Sequence, residues 1–360
     1  MESQQYYEWQ PVALNTRRGS FTLFDKPGMV RYGQPDHAAT LLANELEVES
    51  GEAVTVFNCG AGLPGLVAAD AGAAVTMVDA KVVAVEAAKR AAAANGLADH
   101  IRVAASSPPS PPTLGGTFDQ GDELGLSARA TDSAHPASST QVTPQIGARG
   151  REPWVDLSAV LLPKGKSAAL QSIWDAYQSL RSGGYFYIAG ANAEGAKTFF
   201  RYAEELFGPI AVRGYRKGCR VGFATKPEVE RHRPKLYQEP WLVHDYYRQF
   251  DVAVGHNTLK VCTRPGIFSW DRLDVGSRTL LNVLEVEAAD NVLDLGCGSG
   301  ILGTAAAKRA VQGNVLLLDA NAEAVNSARQ TLIANGIHNA DVAWSDCAAV
   351  VNDRTFDVVV

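Results

Sequence analysis

At 360 residues the chain is long enough for two domains or three, and its 46% apolar residues can fill their cores. A net charge of −6 excludes a global basic field, so a nucleic-acid partner would need a local patch. The five cysteines (Cys59, Cys219, Cys262, Cys297, Cys347) form no C-x-x-C pair, which argues against a zinc site or a disulfide framework and for reduced thiols in the cytoplasm. No signal h-region and no run of membrane-spanning length is present, so no membrane partner is expected.

In chain order, the pattern predicts a helix over 41–46, a strand over 54–58, a helix over 65–71, a strand over 75–79 and an alanine-rich helix over 80–95 ended by Gly96. From 106 to about 151 Pro, Ser, Thr and Gly dominate, with Asp119, Asp122 and Glu123 among them. That stretch has too few large apolar residues to bury itself, so a disordered surface insertion is expected. The ordered pattern resumes with a strand over 157–162, a helix over 166–180, then Gly183-Gly184, a strand over 185–189 and a helix over 196–207.

Next comes a basic stretch: Arg213, Arg216, Lys217 and Arg220, then Lys226, Arg231, Arg233 and Lys235, with Tyr215, Phe223 and Tyr237 interleaved. Cations with aromatics suit RNA phosphates and unstacked bases. A solvated face and linker is the equal alternative, since Glu228, Glu230 and Glu239 dilute the charge. Alternation through 251–261 predicts a strand pair around Gly255-His256-Asn257.

A second series follows: a helix over 277–284, a strand over 291–295, a helix over 301–309, a strand over 315–319, a helix over 322–335, a strand over 340–344 and a fourth strand from 356 to 360. Its centre is Val292-Leu293-Asp294-Leu295-Gly296-Cys297-Gly298-Ser299-Gly300-Ile301-Leu302-Gly303. A buried strand ends in an acid and a glycine-rich turn that a ligand can approach closely. Nineteen residues past Gly300, Asp319 closes another apolar run, at the spacing where nucleotide-type folds hold ribose hydroxyls. The pair predicts a nucleoside-containing cofactor lying across two strand ends.

The chain also repeats itself. Lys26-Pro27-Gly28-Met29-Val30 is like Arg264-Pro265-Gly266-Ile267-Phe268, and Asp36, Leu42, Leu46 and Val54 match Asp274, Leu280, Leu284 and Val292, always 238 residues apart. Cys59-Gly60-Ala61-Gly62 matches Cys297-Gly298-Ser299-Gly300 at the same offset. After a two-residue slip, 75–79 matches 315–319 and Asn95-Gly96 matches Asn335-Gly336. The copies differ chemically: Val56 stands for Asp294, Asn58 for Gly296 and, roughly, Ser106 for Asp346, while Asp79 is kept. The first copy has lost site chemistry, so its fold is expected to serve packing or RNA contact.

The string Asp294 to Gly300 resembles motif I of the class I S-adenosylmethionine-dependent methyltransferases. The duplication with a decayed first copy, Leu162-Pro163-Lys164, Gly183-Gly184 and Leu273-Asp274-Val275-Gly276 together resemble the small-subunit (16S) ribosomal RNA guanine-N2 methyltransferases. The fold so implied is α/β, two tandem Rossmann-like class I methyltransferase domains, the first degenerate and the second expected to be incomplete at its C-terminus. Residues 1–228 form the degenerate domain, 229–263 a bridge, and 264–360 the cofactor-binding domain. The implied cofactor is S-adenosylmethionine, and the implied partner of this monomeric, cytoplasmic enzyme is ribosomal RNA or the small subunit.

The resemblance further implies that Asp294, Gly296, Cys297, Gly298 and Gly300 cradle the methionine and ribose side, and that Asp319 accepts from the ribose hydroxyls. Asp346, beside Cys347, would accept at the adenine edge, and Phe268 and Asp274 would approach from the preceding segment. The alternatives are a turn cap at Asp294, a helix N-cap at Asp319 and a surface acid at Asp346. Arg213, Arg216, Lys217, Arg220, Arg231, Arg233 and Lys235 are the RNA-binding candidates. In this family the fourth strand leads into an Asn-Pro-Pro-Phe motif that grips the target amino group and stacks on the flipped base. The sequence stops at Val360, where that motif is due, so the expectation is a fragment of a longer protein that transfers little or nothing alone, with no catalytic residue to name. Methyl transfer to other RNA or to a protein glutamine, and a non-catalytic RNA-binding or assembly factor, are the competing functions.

Overall fold

Apolar runs of four to seven residues, each followed by a glycine-rich or polar turn and a helix, build two parallel sheets. The computed structural model describes residues 6–105, 155–229, 232–255, 257–351 and 353–360. The insertion expected over 106–151, together with Arg231 and His256, lies outside the described residues.

The first unit runs β1 (Gln10–Thr16), β2 (Gly19–Asp25), α1 (His37–Glu45), β3 (Ala53–Phe57), α2 (Leu63–Asp70), β4 (Ala74–Asp79), α3 (Val82–Ala94) and β5 (Ile101–Ala105). It continues as β6 (Val155–Leu161), α4 (Lys166–Ser179), β7 (Leu180–Ala191), α5 (Ala196–Phe207), β8 (Ala211–Arg216) and β9 (Cys219–Thr225). Its seven-stranded sheet has the order β5-β4-β3-β6-β7-β9-β8, parallel except for the pairs made by β9. The second unit contains β10 (Arg248–Val254), β11 (Asn257–Thr263), α6 (Val275–Val283), β12 (Val292–Leu295), α7 (Ile301–Ala307), β13 (Val315–Asp319), α8 (Ala322–Ala334), β14 (Ala340–Trp344) and β15 (Val358–Val359). Its four strands, ordered β14-β13-β12-β15, are all parallel. Central β13 buries Leu316, Leu317 and Leu318, each stabilising the sheet by about 1.5–3 kcal/mol.

Local chemistry sets the element ends alike in both units. Asp36 caps α1 by accepting from Ala39 N (2.9 Å), and Asp274 caps α6 by accepting from Ser277 N (3.0 Å). Hairpin β1–β2 docks on α3 through Thr22 N to Asn95 Oδ1 (3.0 Å), and hairpin β10–β11 docks on α8 through Lys260 N to Asn335 Oδ1 (3.1 Å). The strand pair assigned from sequence to the bridge 229–263 therefore packs on the second unit as β1–β2 packs on the first. Residues 248–263 thus hold in the second unit the place that 10–25 hold in the first. No residue of 10–25 is identical to its counterpart in 248–263, so the repeat is silent there.

Strand β7 starts five residues before the expected strand and contains Gly183-Gly184. A Cβ on Gly184 would lie 2.9 Å from Arg181 O and 3.0 Å from Asp156 O, so glycine admits the close strand pairing there.

The units meet at the carboxyl ends of β4 and β13. Val82 N donates to Ala320 O (2.9 Å) and Ala322 N donates to Ala80 O (2.8 Å), around an antiparallel bridge between Lys81 and Asn321. Each contact is the other with the copies exchanged, the signature of an isologous, two-fold arrangement.

Candidate cofactor site

The glycine loop of the second unit connects β12 to α7. Gly296 N and Cys297 N donate to Leu318 O (2.8 and 2.9 Å), and Gly298 N donates to Asp319 Oδ2 (2.9 Å). Asn321 N donates to Asp319 Oδ1 (2.8 Å), so the acid organises both the loop and the start of α8. Burial pushes the Asp319 carboxyl above the usual range, opposed by those backbone donors. Asp294 is 2% exposed and accepts from Gly303 N (2.7 Å), fixing the first turn of α7. Burial raises its carboxyl to about 7, and neighbouring Asp319 adds to the shift.

One face of this loop is open. A Cβ on Gly296 would meet nothing within 4 Å, and one on Gly298 would meet only Ile267, at 3.9 Å. On Gly300 it would fall 2.8 Å from the Ala328 Cβ, so that glycine serves helix packing. The glycine loop, with a carboxylate beside it whose oxygens keep lone pairs after two backbone bonds, fits a nucleoside carrying a polar tail. Cys297 is buried with its thiol pushed up by burial, which makes it packing rather than chemistry.

The segment 264–268 borders the loop, through Ile267 and through Asn321 Nδ2 donating to Gly266 O (2.8 Å). Phe268 is 85% exposed. The Asp274 carboxylate is engaged by Ser277, whose Oγ donates at 2.6 Å in addition to the cap bond; these bonds hold its pKa below the usual range. Its position is explained by the helix cap that Asp36 repeats in the first unit.

The first unit keeps the acid. Asp79 accepts from Gly60 N and Lys81 N, both at 3.0 Å, reproducing the Asp319 pattern. Asn58 stands where Gly296 stands, and its Nδ2 donates to Leu161 O (3.0 Å) and Ser172 Oγ (2.9 Å). That side chain ties the end of β3 to β6 and α4.

Asp346 and Cys347 follow β14, and both are met by the first unit. Tyr6 Oη donates to Asp346 Oδ1 (3.0 Å) and lies 3.2 Å from Cys347 Sγ, and the Lys26 ammonium pairs with Asp346 Oδ2. Sequence reasoning missed these partners. The available signal was the alignment of Lys26 with Arg264, which pairs instead with Glu323 (3.1 Å) in its own unit.

The RNA-binding candidates separate into two groups. Arg213 and Arg216 lie on edge strand β8, Lys217 in the turn and Arg220 on β9, so one hairpin gathers four cations. Arg213 stacks on Phe223 (4.5 Å), and Arg220 donates to Asn192 Oδ1 (2.6 Å) beside exposed Tyr215. Arg233 stacks on Trp174 (4.2 Å), and Lys235 is exposed on a short 3-10 turn. Lys226, counted in the basic stretch from sequence, is buried and donates to Tyr177 O (2.7 Å) and Leu180 O (2.8 Å), which removes it from any surface patch. Among the described residues no cluster of three or more His, Cys, Asp or Glu could hold a metal, and no helix is long and apolar enough to cross a membrane.

Known proteins resemble both units. The family model described as methyltransferase small domain matches residues 20–111 and again 258–360, the two starts lying 238 residues apart like the repeat itself. The chain is 28% identical over 236 residues to the ribosomal RNA small subunit methyltransferase C of Pseudomonas fluorescens, covering 66% of this chain and 65% of that protein. It is 31% identical over 199 residues to the protein of the same name from Klebsiella pneumoniae, covering 55% and 53% respectively. The chain thus spans between about half and two thirds of the length of these relatives. A solved structure titled as the T. thermophilus 16S rRNA N2 G1207 methyltransferase in complex with AdoMet and guanosine superposes with a TM-score of 0.71 at 23% identity, over 99% of this chain and 80% of that one. That likeness gives the fold as class I methyltransferase. With two sheets of that fold, a glycine loop over an acid at each, and a family match to both, the chain belongs to the methyltransferase small domain family.

Proposed function

We propose that the second unit binds S-adenosylmethionine and that the protein acts in methyl transfer to guanine N2 of small-subunit ribosomal RNA, as a cytoplasmic monomer. The observation that carries the reading is the glycine loop held over Asp319, whose carboxylate takes Gly298 N and Asn321 N and keeps further lone pairs to accept with. The loop at 296–300 would take the methionine portion and Asp319 the ribose hydroxyls, using lone pairs left by Gly298 N and Asn321 N. Asp346 would accept from the adenine amino group. Asp294 holds the loop's exit through Gly303 N. The bound cofactor supplies an electrophilic methyl group, while the protein's part is orientation and exclusion of water. The aromatic and basic hairpin β8–β9 supports RNA as the partner.

Calorimetry with S-adenosylmethionine tests the site: the intact chain should bind, and Asp319→Ala should weaken binding by about tenfold or more, as loss of charge-assisted bonds does. Equal affinity in both proteins would refute it. Transfer of label from S-adenosylmethionine to undermethylated small subunits, followed by nucleoside analysis, tests the acceptor. Label on any base other than guanine would overturn that part.

A further inference from the structure

Lys26 belongs to the first unit but is used by the second. It is 1% exposed, and its ammonium lies 4.5, 5.0 and 5.4 Å from the ring centroids of Tyr6, Tyr7 and Trp9. Within this aromatic box its anionic partner is Asp346, 320 residues away in sequence. Tyr6 adds a hydrogen bond to the other carboxylate oxygen, and Tyr7 meets the backbone N–H of Ala348. Gly28 passes so close that a Cβ there would lie 3.0 Å from Tyr6 Oη and 3.9 Å from Asp346 Oδ1. Cys347, between the two contacts, is held at φ 49°, a left-handed conformation uncommon for a residue with a side chain. The first unit therefore grips the loop 346–348 on three successive residues.

A buried ion pair is a poor device for stability. Apolar residues of similar volume commonly hold a fold as well or better. What the pair does provide is direction: a carboxylate fixed by an ammonium on one oxygen and a phenol on the other has one orientation, with lone pairs left to accept further. The loop it belongs to ends a strand next to β13, whose Asp319 organises the glycine loop.

We infer that Lys26 is a positioning residue of the donor site: through Asp346 it orients the acceptor for the adenine 6-amino group, so the decayed first unit supplies part of the second unit's selectivity for adenine. This rests on the donor-site reading above.

The test uses the full chain and two ligands, S-adenosylhomocysteine and its inosine counterpart, which carries a 6-oxo group. Calorimetry on the parent protein should show a preference of about tenfold for the amino form, one charge-assisted hydrogen bond. Lys26→Met should reduce the preference to about twofold or less, by weakening the amino form alone, and Lys26→Arg should restore most of it. Tyr6→Phe, which keeps the ring and removes only the hydroxyl, should reduce the preference about threefold. A general loss of structure would lower affinity for both ligands equally and leave the ratio unmoved. Unchanged ratios in Lys26→Met and Tyr6→Phe overturn the inference. If Lys26→Met does not fold, Tyr6→Phe alone decides. Failure of the parent protein to bind either ligand would instead refute the donor site, and equal binding of both would refute Asp346 as the adenine acceptor.

Discussion

Asn58 and Gly296 occupy the same station 238 residues apart, and both have left-handed backbone, at φ 55° and 84°. Asparagine is among the few residues with a side chain that tolerate this conformation, so the station could lose its glycine without losing its turn. Gly296→Asn should therefore fold, at a cost of about 1 kcal/mol, while binding S-adenosylmethionine at least tenfold more weakly, about 1.4 kcal/mol. Chemical denaturation and calorimetry on one preparation separate the two effects. In the first unit, Asn58→Gly should destabilise by about 1–3 kcal/mol, because the side-chain bonds to Leu161 O and Ser172 Oγ are lost.

Asp294 makes stability fall as pH rises. Its folded pKa is about 7 against 3.8 for the ordinary carboxyl, so between pH 4 and 7 the native state binds the proton that the unfolded chain has released. Stability should decline through that window by something on the order of 2–4 kcal/mol and level off above it. Burial raises Asp79 and Asp319 as well, in the same sense. Asp294→Asn, which keeps an acceptor for Gly303 N, should flatten the slope and be more stable than the parent at pH 8. Urea denaturation across pH 4–8 measures both curves.

His244 links the two units with the opposite chemistry. Its Nε2 lies 2.9 Å from Asp175 Oδ1 on α4, and its Nδ1 lies 3.4 Å from Arg264 Nη2. The Asp175 charge raises the His244 pKa, so the stabilisation is complete below the unfolded value, near 6.5, and is lost as pH rises through the folded one. His244→Ala should lower the melting temperature more at pH 6 than at pH 9. An equal drop at both would count against the charge pair.

The tip of hairpin β8–β9 carries exposed Arg216 and Lys217. Replacing Arg216 by Ala and Lys217 by Asn, which suits its φ of 49°, should weaken RNA binding and reduce the slope of log K against log salt by about 1.5. Affinity for S-adenosylmethionine should stay the same. Filter binding over a salt series reads the slope, and an unchanged slope would place the RNA elsewhere.

Much of the fold was legible because period and punctuation agree: buried strands run into turn residues, and most helices begin at a side-chain cap or a glycine. The place of Asp319 beside the glycine loop was legible because the acid closes an apolar run at a fixed spacing from it. Two kinds of feature escaped. The strand pair around 255–257 was expected, but its equivalence to β1–β2 was not visible, because the two hairpins share no identical residue and only their alternation and their docking on α3 and α8 matter. The environment of single charges escaped too: Lys226 reads as part of a basic run yet is buried on two carbonyls, and Asp346 reads as a loop acid yet is met by Lys26 from the far end of the chain. Composition gives a residue's charge, and only the fold gives its partner.

The reciprocal bonds between 80–82 and 320–322 are those of a symmetric dimer whose protomers share one chain. In a true homodimer every substitution appears twice, so closing one site would close both. Joining the copies releases that constraint: one station can carry Asn58 in one half and Gly296 in the other, and Lys26 and Arg264 can take different partners. A gene fusion of this kind turns a redundant pocket into raw material for the surviving one.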